Sequence, residues 1–261
     1  MIDLYNKINL TLSPAERFTD LAKYLFFNCY LKASAKEFYF TELEFYCDDN
    51  AQHQDKFIYK KDKQRENGKL CFHQSGMDIT FGNGDKIYGG VLVRGIKYQF
   101  QGKWKYIYGP INILNKGILP ALKISNKTYR DTDKELVKEL EGKIEFKNNL
   151  NQRPSNISLY RGPRYNLKHW HDKNTTHRSD FMFAPYRYII DLTQYRTSRG
   201  KEGFVFEGTI KDIEKLEYAA TLLGDLVNKE KFEEMAKRRM ESSAEEAEKW
   251  ENLVKYYKQL N

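Results

Sequence analysis

No aspartate or glutamate occurs between residues 86 and 130, although nine lysines and arginines fall in that stretch. The three cysteines, Cys29, Cys47 and Cys71, are odd in number and form no CxxC pair, which argues against a disulfide framework and a zinc ribbon. No uncharged apolar run approaches the roughly 18 residues of a membrane-spanning helix; the longest, Leu25–Leu31, is broken by Asn28. The first residues, Met1-Ile2-Asp3-Leu4, lack the basic-then-apolar layout of a secretory signal. A GxxxxGK[ST] phosphate loop, a GxSxG elbow and an HExxH zinc helix are all missing. The expectation is a soluble, cytoplasmic protein.

Its 261 residues, 40% hydrophobic and 15% aromatic, suffice for one packed core and leave little for a second of equal size. The net charge of +8 is unevenly placed. Residues 151–208 carry ten basic and five acidic side chains, while residues 1–85, 131–150 and 209–261 are each slightly acidic. The acid-free block also holds Tyr98, Phe100, Trp104, Tyr106 and Tyr108. Cations that neutralise phosphates, interleaved with rings that stack on bases, suit a nucleic-acid groove.

Local signals outline an α+β chain. Ser13-Pro14-Ala15-Glu16 predicts a capped helix running to about Leu31, with Phe18, Leu21, Ala22 and Leu25 inward. Phe38–Tyr46 reads as a strand with Phe38, Phe40, Glu42, Glu44 and Tyr46 on one face and Tyr39, Leu43 and Phe45 on the other. A polar loop is expected over 48–68, then strands at 69–73, 78–81, 88–100 and 103–108, with turns at Asn83-Gly84 and Gln101-Gly102. Short helices are expected after Gly109-Pro110 and over Asp131–Leu140, and late strands at Tyr186–Leu192 and Phe204–Phe206. From Thr209 the chain turns charged and helix-forming, with a last helix capped at Ser243, so residues 209–261 read as a helical extension of a 1–208 body.

Ionised groups are seldom buried without partners, so two glutamates on an aromatic strand point either to a general base or to a solvent-facing strand surface. Arg94, inside Val91-Leu92-Val93-Arg94, calls for an anionic partner, for which Glu42 and Glu44 are candidates. His169, His171 and His177 match no zinc spacing, and no metal or cofactor is expected. The basic loop from Arg161 to Arg178 is read instead as approaching DNA phosphates.

The ordered set Glu42-Leu43-Glu44-Phe45-Tyr46, His53, Ser75-Gly76-Met77-Asp78 and Val91-Leu92-Val93-Arg94 resembles the alkyladenine (3-methyladenine) DNA glycosylase family. Tyr108-Gly109-Pro110, Gly162-Pro163-Arg164-Tyr165 and Ala184-Pro185-Tyr186-Arg187 are similar to later motifs of that family. The resemblance covers about residues 35–195 and implies one domain around a curved antiparallel sheet. It makes Glu44 the base that activates water and Arg94 its partner. Tyr46 and His53 would line the base pocket with Glu42, Ser75 and Asp78, and Tyr165 would offer backbone contacts. Lys97, Lys103, Lys105, Arg161, Arg164 and Lys168 would contact DNA, the expected partner, in double-stranded form. The implied reaction is metal-free hydrolysis of an N-glycosidic bond after base flipping.

The chain departs from the family at its hairpin, where Ser75 and Asp78 replace two tyrosines. Loss of one pocket wall, and an anion at the position that wedges into the duplex, favour a bulkier substrate than a methylated purine, such as a hypermodified phage base met in antiviral defence. Damaged purines and DNA repair remain the other option. The competing readings are a metal-dependent nuclease using Glu44, Asp48, Asp49 and His53, and a non-catalytic DNA-binding module in which the glutamates pair with arginines.

Overall fold

The computed structural model describes residues 2–7, 12–49, 53–55, 57–84, 86–148, 159–162, 164, 186–191 and 207–208. Helix α1 (Pro14–Asn28) starts at a complete capping box, in which the Ser13 amide donates to the Glu16 carboxylate at 3.0 Å and the Ser13 hydroxyl accepts from the Glu16 amide. Phe18, Leu21, Ala22 and Leu25 are buried as their spacing predicts. The helix ends before the expected Leu31, because Cys29-Tyr30-Leu31 enters the sheet as β1 (Cys29–Ala33). There β1 is hydrogen-bonded on both edges, to β2 (Lys36–Asp48) and to β7 (Ile144–Asn148), and these long-range ladders outweigh local helix preference.

Among the described residues, ten strands form one curled antiparallel sheet: the expected α+β architecture. Its spine is the pair β2 and β5 (Tyr88–Phe100). At one end the spine is flanked by β1 with β7, and by β6 (Lys103–Tyr108). At the other end it is flanked by β9 (Arg187–Ile189) with β8 (Tyr160–Gly162) and β10 (Glu207–Gly208). The opposite edge there carries β4 (Gly76–Phe81) and β3 (Asn67–His73). The spine therefore supports two half-sheets that diverge near its middle.

The divergence coincides with a paired irregularity. Phe40 aligns with Ile96 and Leu43 with Val93, but between them Glu42 aligns with Gly95, leaving Thr41 and Arg94 without aligned partners. Both strands change face at this bulge. Phe38, Phe40, Leu43, Phe45 and Cys47 all join the core, as do Val91, Val93 and Ile96. The unbroken alternation expected for β2 therefore fails: Phe38 and Phe40 do not share a face with Glu42, Glu44 and Tyr46. One residue of offset moves every later side chain to the other side.

The core face packs against α1 and against a helix that runs from Pro110–Asn112 through a π-helical stretch, Ile113–Ile118, to Leu119–Ala121. Gln101 and Gly102 take φ of 50° and 73°, the left-handed pair that a tight hairpin between β5 and β6 requires. The expected polar loop after β2 contains a 3-10 turn, Asp62–Arg65, and buries Ile58, Asp55 and Gln64. The expected helix over Asp131–Leu140 is displaced to Lys134–Lys143, because the Asp133 carboxylate caps it by accepting from the Leu136 amide at 2.9 Å. The Phe204–Phe206 strand and the helical extension over 209–261 lie outside the described residues. Among those described, no helix is long and apolar enough to cross a membrane.

Gly95 sits where the bulge is tightest: a Cβ there would lie 2.6 Å from Thr41 Oγ1 and 2.8 Å from Glu42 Cβ. Gly95→Ala is expected to destabilise the fold by about 1–3 kcal/mol, as overpacked sites do. Urea denaturation beside wild type checks this, and an unchanged midpoint would show that the bulge tolerates a side chain.

Candidate functional site

On the face of the sheet away from the core, one row of aligned positions runs Cys71–Asp78–Leu92–Glu44–Arg187 across β3, β4, β5, β2 and β9. Glu42 lies beside this row, aligned with Gly95 and Ile189, and Arg94 reaches it from the bulge of β5. The result is a buried group of two carboxylates and two guanidiniums. Arg94 Nε donates to Glu42 Oε1 at 3.1 Å, and Arg94 Nη1 donates to Glu44 Oε2 at 3.4 Å. Arg187 Nη2 donates to the same Glu42 oxygen, and its Nε lies 3.7 Å from Glu44 Oε1. The Tyr46 hydroxyl donates to Glu44 Oε2 at 3.0 Å.

Both glutamates are fully buried, Arg187 is 1% exposed and Arg94 6%. Isolated charges at this depth would be strongly unfavourable, and mutual pairing is what compensates them. Burial pulls the Arg94 guanidinium down, but the Glu44 and Glu42 charges outweigh it and leave it above its ordinary range. Burial, reinforced by the Glu44 charge, raises the Tyr46 phenol well above its usual value, so it acts as a neutral donor. Chemically, Glu44 is an oriented carboxylate gripped from two sides.

A second ion pair adjoins the first. Arg164 donates to Asp55 through both Nη atoms, the Nη2 bond to Oδ1 measuring 3.2 Å, and to the Phe45 carbonyl at 3.1 Å. Its guanidinium stands over the Tyr46 ring at 4.5 Å. Burial lowers and the Asp55 charge raises its proton affinity, with a net rise. Arg164 is thus a buried structural cation, whereas the sequence placed it against DNA. Lys97, which the sequence also placed against DNA, is turned inward as well. It is buried, its Nζ lies 2.5 Å from Asp191 Oδ2, and it stands over the Trp104 ring at 5.3 Å. Lys103 and Lys105 remain exposed, on the opposite face of the β5–β6 hairpin from Lys97.

His53 is not at the carboxylates. Its ring packs edge-on to Phe18 at 5.7 Å and to Tyr186 at 5.3 Å, beside the core-facing Cys47. The space there is about 10 Å³, room for at most one water and far too small for a base. The hairpin also differs from expectation. Ser75 is at the β3–β4 turn, its hydroxyl 2.8 Å from that of Tyr59. Asp78, expected at the wedge, is 2% exposed, bound to His73 Nε2 at 2.9 Å and accepting from Gln64 Nε2 at 2.9 Å. Its charge is buried between His73 and Gln64, on the same row as Leu92 and Glu44.

The side chain of Arg161 is not described, and Tyr165, Lys168 and the three histidines from His169 to His177 lie outside the described residues. Among those described, no group of three or more His, Cys, Asp or Glu side chains could hold a metal ion. Glu44, Asp48, Asp49 and His53 do not converge on one, and the Asp48 carboxylate is taken by Lys60 at 2.5 Å. The sequence reading missed Arg187 as a site residue. The signal was present, since an arginine between Tyr186 and Tyr188 needs an anion for the same reason as Arg94. Asp55 and Asp191 carried no such signal.

No family model matches the chain. An uncharacterized protein of Acanthamoeba polyphaga mimivirus is similar to it, 29% identical over 196 residues, which span 66% of this chain and 85% of that protein.

Two outcomes follow from the charge group and from His53. Arg187→Met is expected to cost about 3–5 kcal/mol, because it leaves buried carboxylates under-compensated. Adding Glu42→Gln should restore part of that loss, and simple additivity in a double-mutant cycle by urea denaturation would show the groups to be uncoupled. Burial holds the His53 imidazole below its ordinary 6.5, against the opposing pull of Asp55. The unfolded chain therefore takes up this proton first, and the stability His53 contributes is present above about pH 6.5 and lost as pH falls through the lower folded value. His53→Gln should flatten the acid-side decline in stability; a slope equal to wild type would place the proton uptake elsewhere.

Proposed function

We propose that the chain is a DNA N-glycosylase, in which Glu44 takes a proton from the water that attacks the sugar carbon of a flipped base, the base leaves with the electron pair of the broken N-glycosidic bond, and Arg94 holds Glu44 in orientation. The observation that supports this reading is that Arg94 and Tyr46 both reach Glu44. These are three of the residues to which the family resemblance assigns the water and the pocket wall, and they meet from two different strands. A carboxylate held rigidly by guanidiniums suits electrostatic stabilisation of an oxocarbenium-like sugar, with an incoming water as nucleophile. The base pocket would differ from that of the resembled family, since His53 packs into the core side and Asp78 is engaged by His73 and Gln64. That difference favours a bulky modified base over a methylated purine.

A second reading rests on an equally specific observation. Glu42 and Glu44 are fully buried and charge-balanced by Arg94 and Arg187, which is what a non-catalytic DNA-binding module would use to lock its sheet.

One experiment separates them. Alkylated, deaminated and hypermodified phage DNAs are incubated with wild type and Glu44→Gln, each with and without chelator, and free bases are measured by mass spectrometry. The glycosylase reading expects a base released by wild type and reduced at least about 100-fold in the variant, the scale of loss for a positioned catalytic group. Absence of any released base, with DNA binding intact, would sink that reading in favour of the module. Release abolished by chelator would instead point to a metal-dependent enzyme.

A further inference from the structure

The half-sheet beyond the bulge carries a second feature on the same face as the carboxylates. One aligned row runs Lys147–Tyr30–Tyr39–Lys97–Tyr106 across β7, β1, β2, β5 and β6. In the next row on this face Glu145, Lys32 and Glu37 align across β7, β1 and β2, and Gln99 aligns with Trp104 across β5 and β6. The exposed face of an antiparallel sheet is ordinarily polar, so rings at these positions need a reason. Trp104 is 43% exposed, and its ring meets that of Tyr39 at 79° with 5.8 Å between centroids. With Glu37 and Gln99 these rings line an open cleft of about 420 Å³, bounded also by Ala35 and Lys36 where β1 turns into β2. That volume is within the usual ~300–1,000 Å³ range of ligand sites.

The strand register fixes the charge that an occupant would meet. Among the described residues, the cations on this face of the half-sheet are Lys32, Lys97 and Lys147, and each faces an anion. Lys97 Nζ lies 2.5 Å from Asp191 Oδ2 and Lys147 Nζ 2.5 Å from Glu145 Oε2, while Lys32 aligns with both Glu37 and Glu145. Lys36, Lys103 and Lys105 belong to the opposite face: Lys105 aligns with Tyr98, Lys103 with Phe100, and Lys36 Nζ stands over both of those rings. The cleft therefore offers a polyanion no unbalanced positive charge. A cationic ligand would meet Lys97, already seated over the Trp104 ring at 5.3 Å and the Tyr106 ring at 5.8 Å. A wholly apolar ligand would strand the Glu37 carboxylate and the Gln99 amide away from water. An uncharged ring with apolar C–H faces and hydroxyls along its edge satisfies all of these groups. Its face lies on the indole, and its hydroxyls donate to Glu37, whose carboxylate the Tyr39 hydroxyl orients, and pair with Gln99, a donor and an acceptor at once.

We infer that this cleft binds a neutral sugar ring, with Trp104 as its platform, Tyr39 as its side wall, and Glu37 and Gln99 as its hydrogen-bonding groups. A pyranose has two sources, a glycan chain or a sugar carried on a modified DNA base. The first stands without the glycosylase reading. The second rests on it, since β2 and β5 carry both the cleft and the Glu44 group.

The test is isothermal titration calorimetry of the full chain with neutral oligosaccharides of glucose, galactose, mannose and N-acetylglucosamine. In parallel, retention on glucosylated phage DNA is compared with retention on the same DNA unmodified. At least one probe is expected to bind with little dependence on salt, where a polyanion held by several lysines would lose orders of magnitude. Trp104→Ala should weaken that binding about 2- to 12-fold, the scale of one aromatic contact, with Trp104→Phe closer to wild type. Glu37→Ala should weaken it about 10-fold or more, the scale of a hydrogen bond to a charged group. Circular dichroism of each variant checks folding. Binding of free oligosaccharides assigns the site to a glycan, and a Trp104-dependent preference for glucosylated DNA alone assigns it to the modified base. Failure of every oligosaccharide together with equal retention of the two DNAs would overturn the inference. So would sugar affinity unchanged in Trp104→Ala and Glu37→Ala, or a Trp104-dependent dimer in place of sugar binding. Sugar binding lost in Trp104→Ala, with no base released in the preceding experiment, would leave the sugar site standing and remove the glycosylase alone. Base release without any sugar binding would do the reverse.

Discussion

The rest of the structure depends on the neutral group formed by Glu42, Glu44, Arg94 and Arg187. Four ionised side chains at this depth are tolerable only as a balanced set, since each would be strongly unfavourable alone. The set exists because the bulge in β2 and β5 turns Glu42 and Arg94 to the same side while keeping Phe40, Leu43, Val93 and Ile96 on the other. It also explains why the short strand β9 stays where it is: Arg187 anchors it to both glutamates while its backbone pairs with β2. The fold and the candidate site are therefore one construction.

Around that bulge the sheet has two characters. One half carries ions sealed from solvent, held in fixed orientation by hydrogen bonds from Arg94, Arg187 and Tyr46. The other half, on the same face, carries rings partly open to solvent and lysines whose inner member, Lys97, is already paired with Asp191. On the core side, filled by α1 and the π-bulged helix, the space beside His53 is about 10 Å³.

Much of this was legible without coordinates. The capping box at Ser13, the tight turn at Gln101-Gly102 and the inward face of α1 follow from signals a few residues long. The pairing of Arg94 with the strand glutamates was legible too, because an arginine in an apolar strand requires an anion and only two were placed to supply it. Arg187 obeys the same rule and could have been read in the same way. By contrast, β1 was hidden inside an apparent helix, since nothing local in Cys29-Tyr30-Leu31 announces the β7 edge that captures it.

The sequence by itself determined the local elements, the acid-free basic and aromatic block, and the need for buried carboxylate–guanidinium pairing. Tertiary structure alone decided which face each of those residues occupies. A bulge at Thr41 and Arg94 separates Phe38 and Phe40 from the glutamates. A ladder position buries Asp78 beside His73 rather than leaving it at the tip of the hairpin. Distant acids, Asp55 and Asp191, draw Arg164 and Lys97 inward and leave Lys103 and Lys105 outside. The physical reason is common to all three. Side-chain direction in a strand has a period of two, so a single irregular pairing reverses everything beyond it, and the partner that claims a buried charge comes from a part of the chain that local spacing cannot reach.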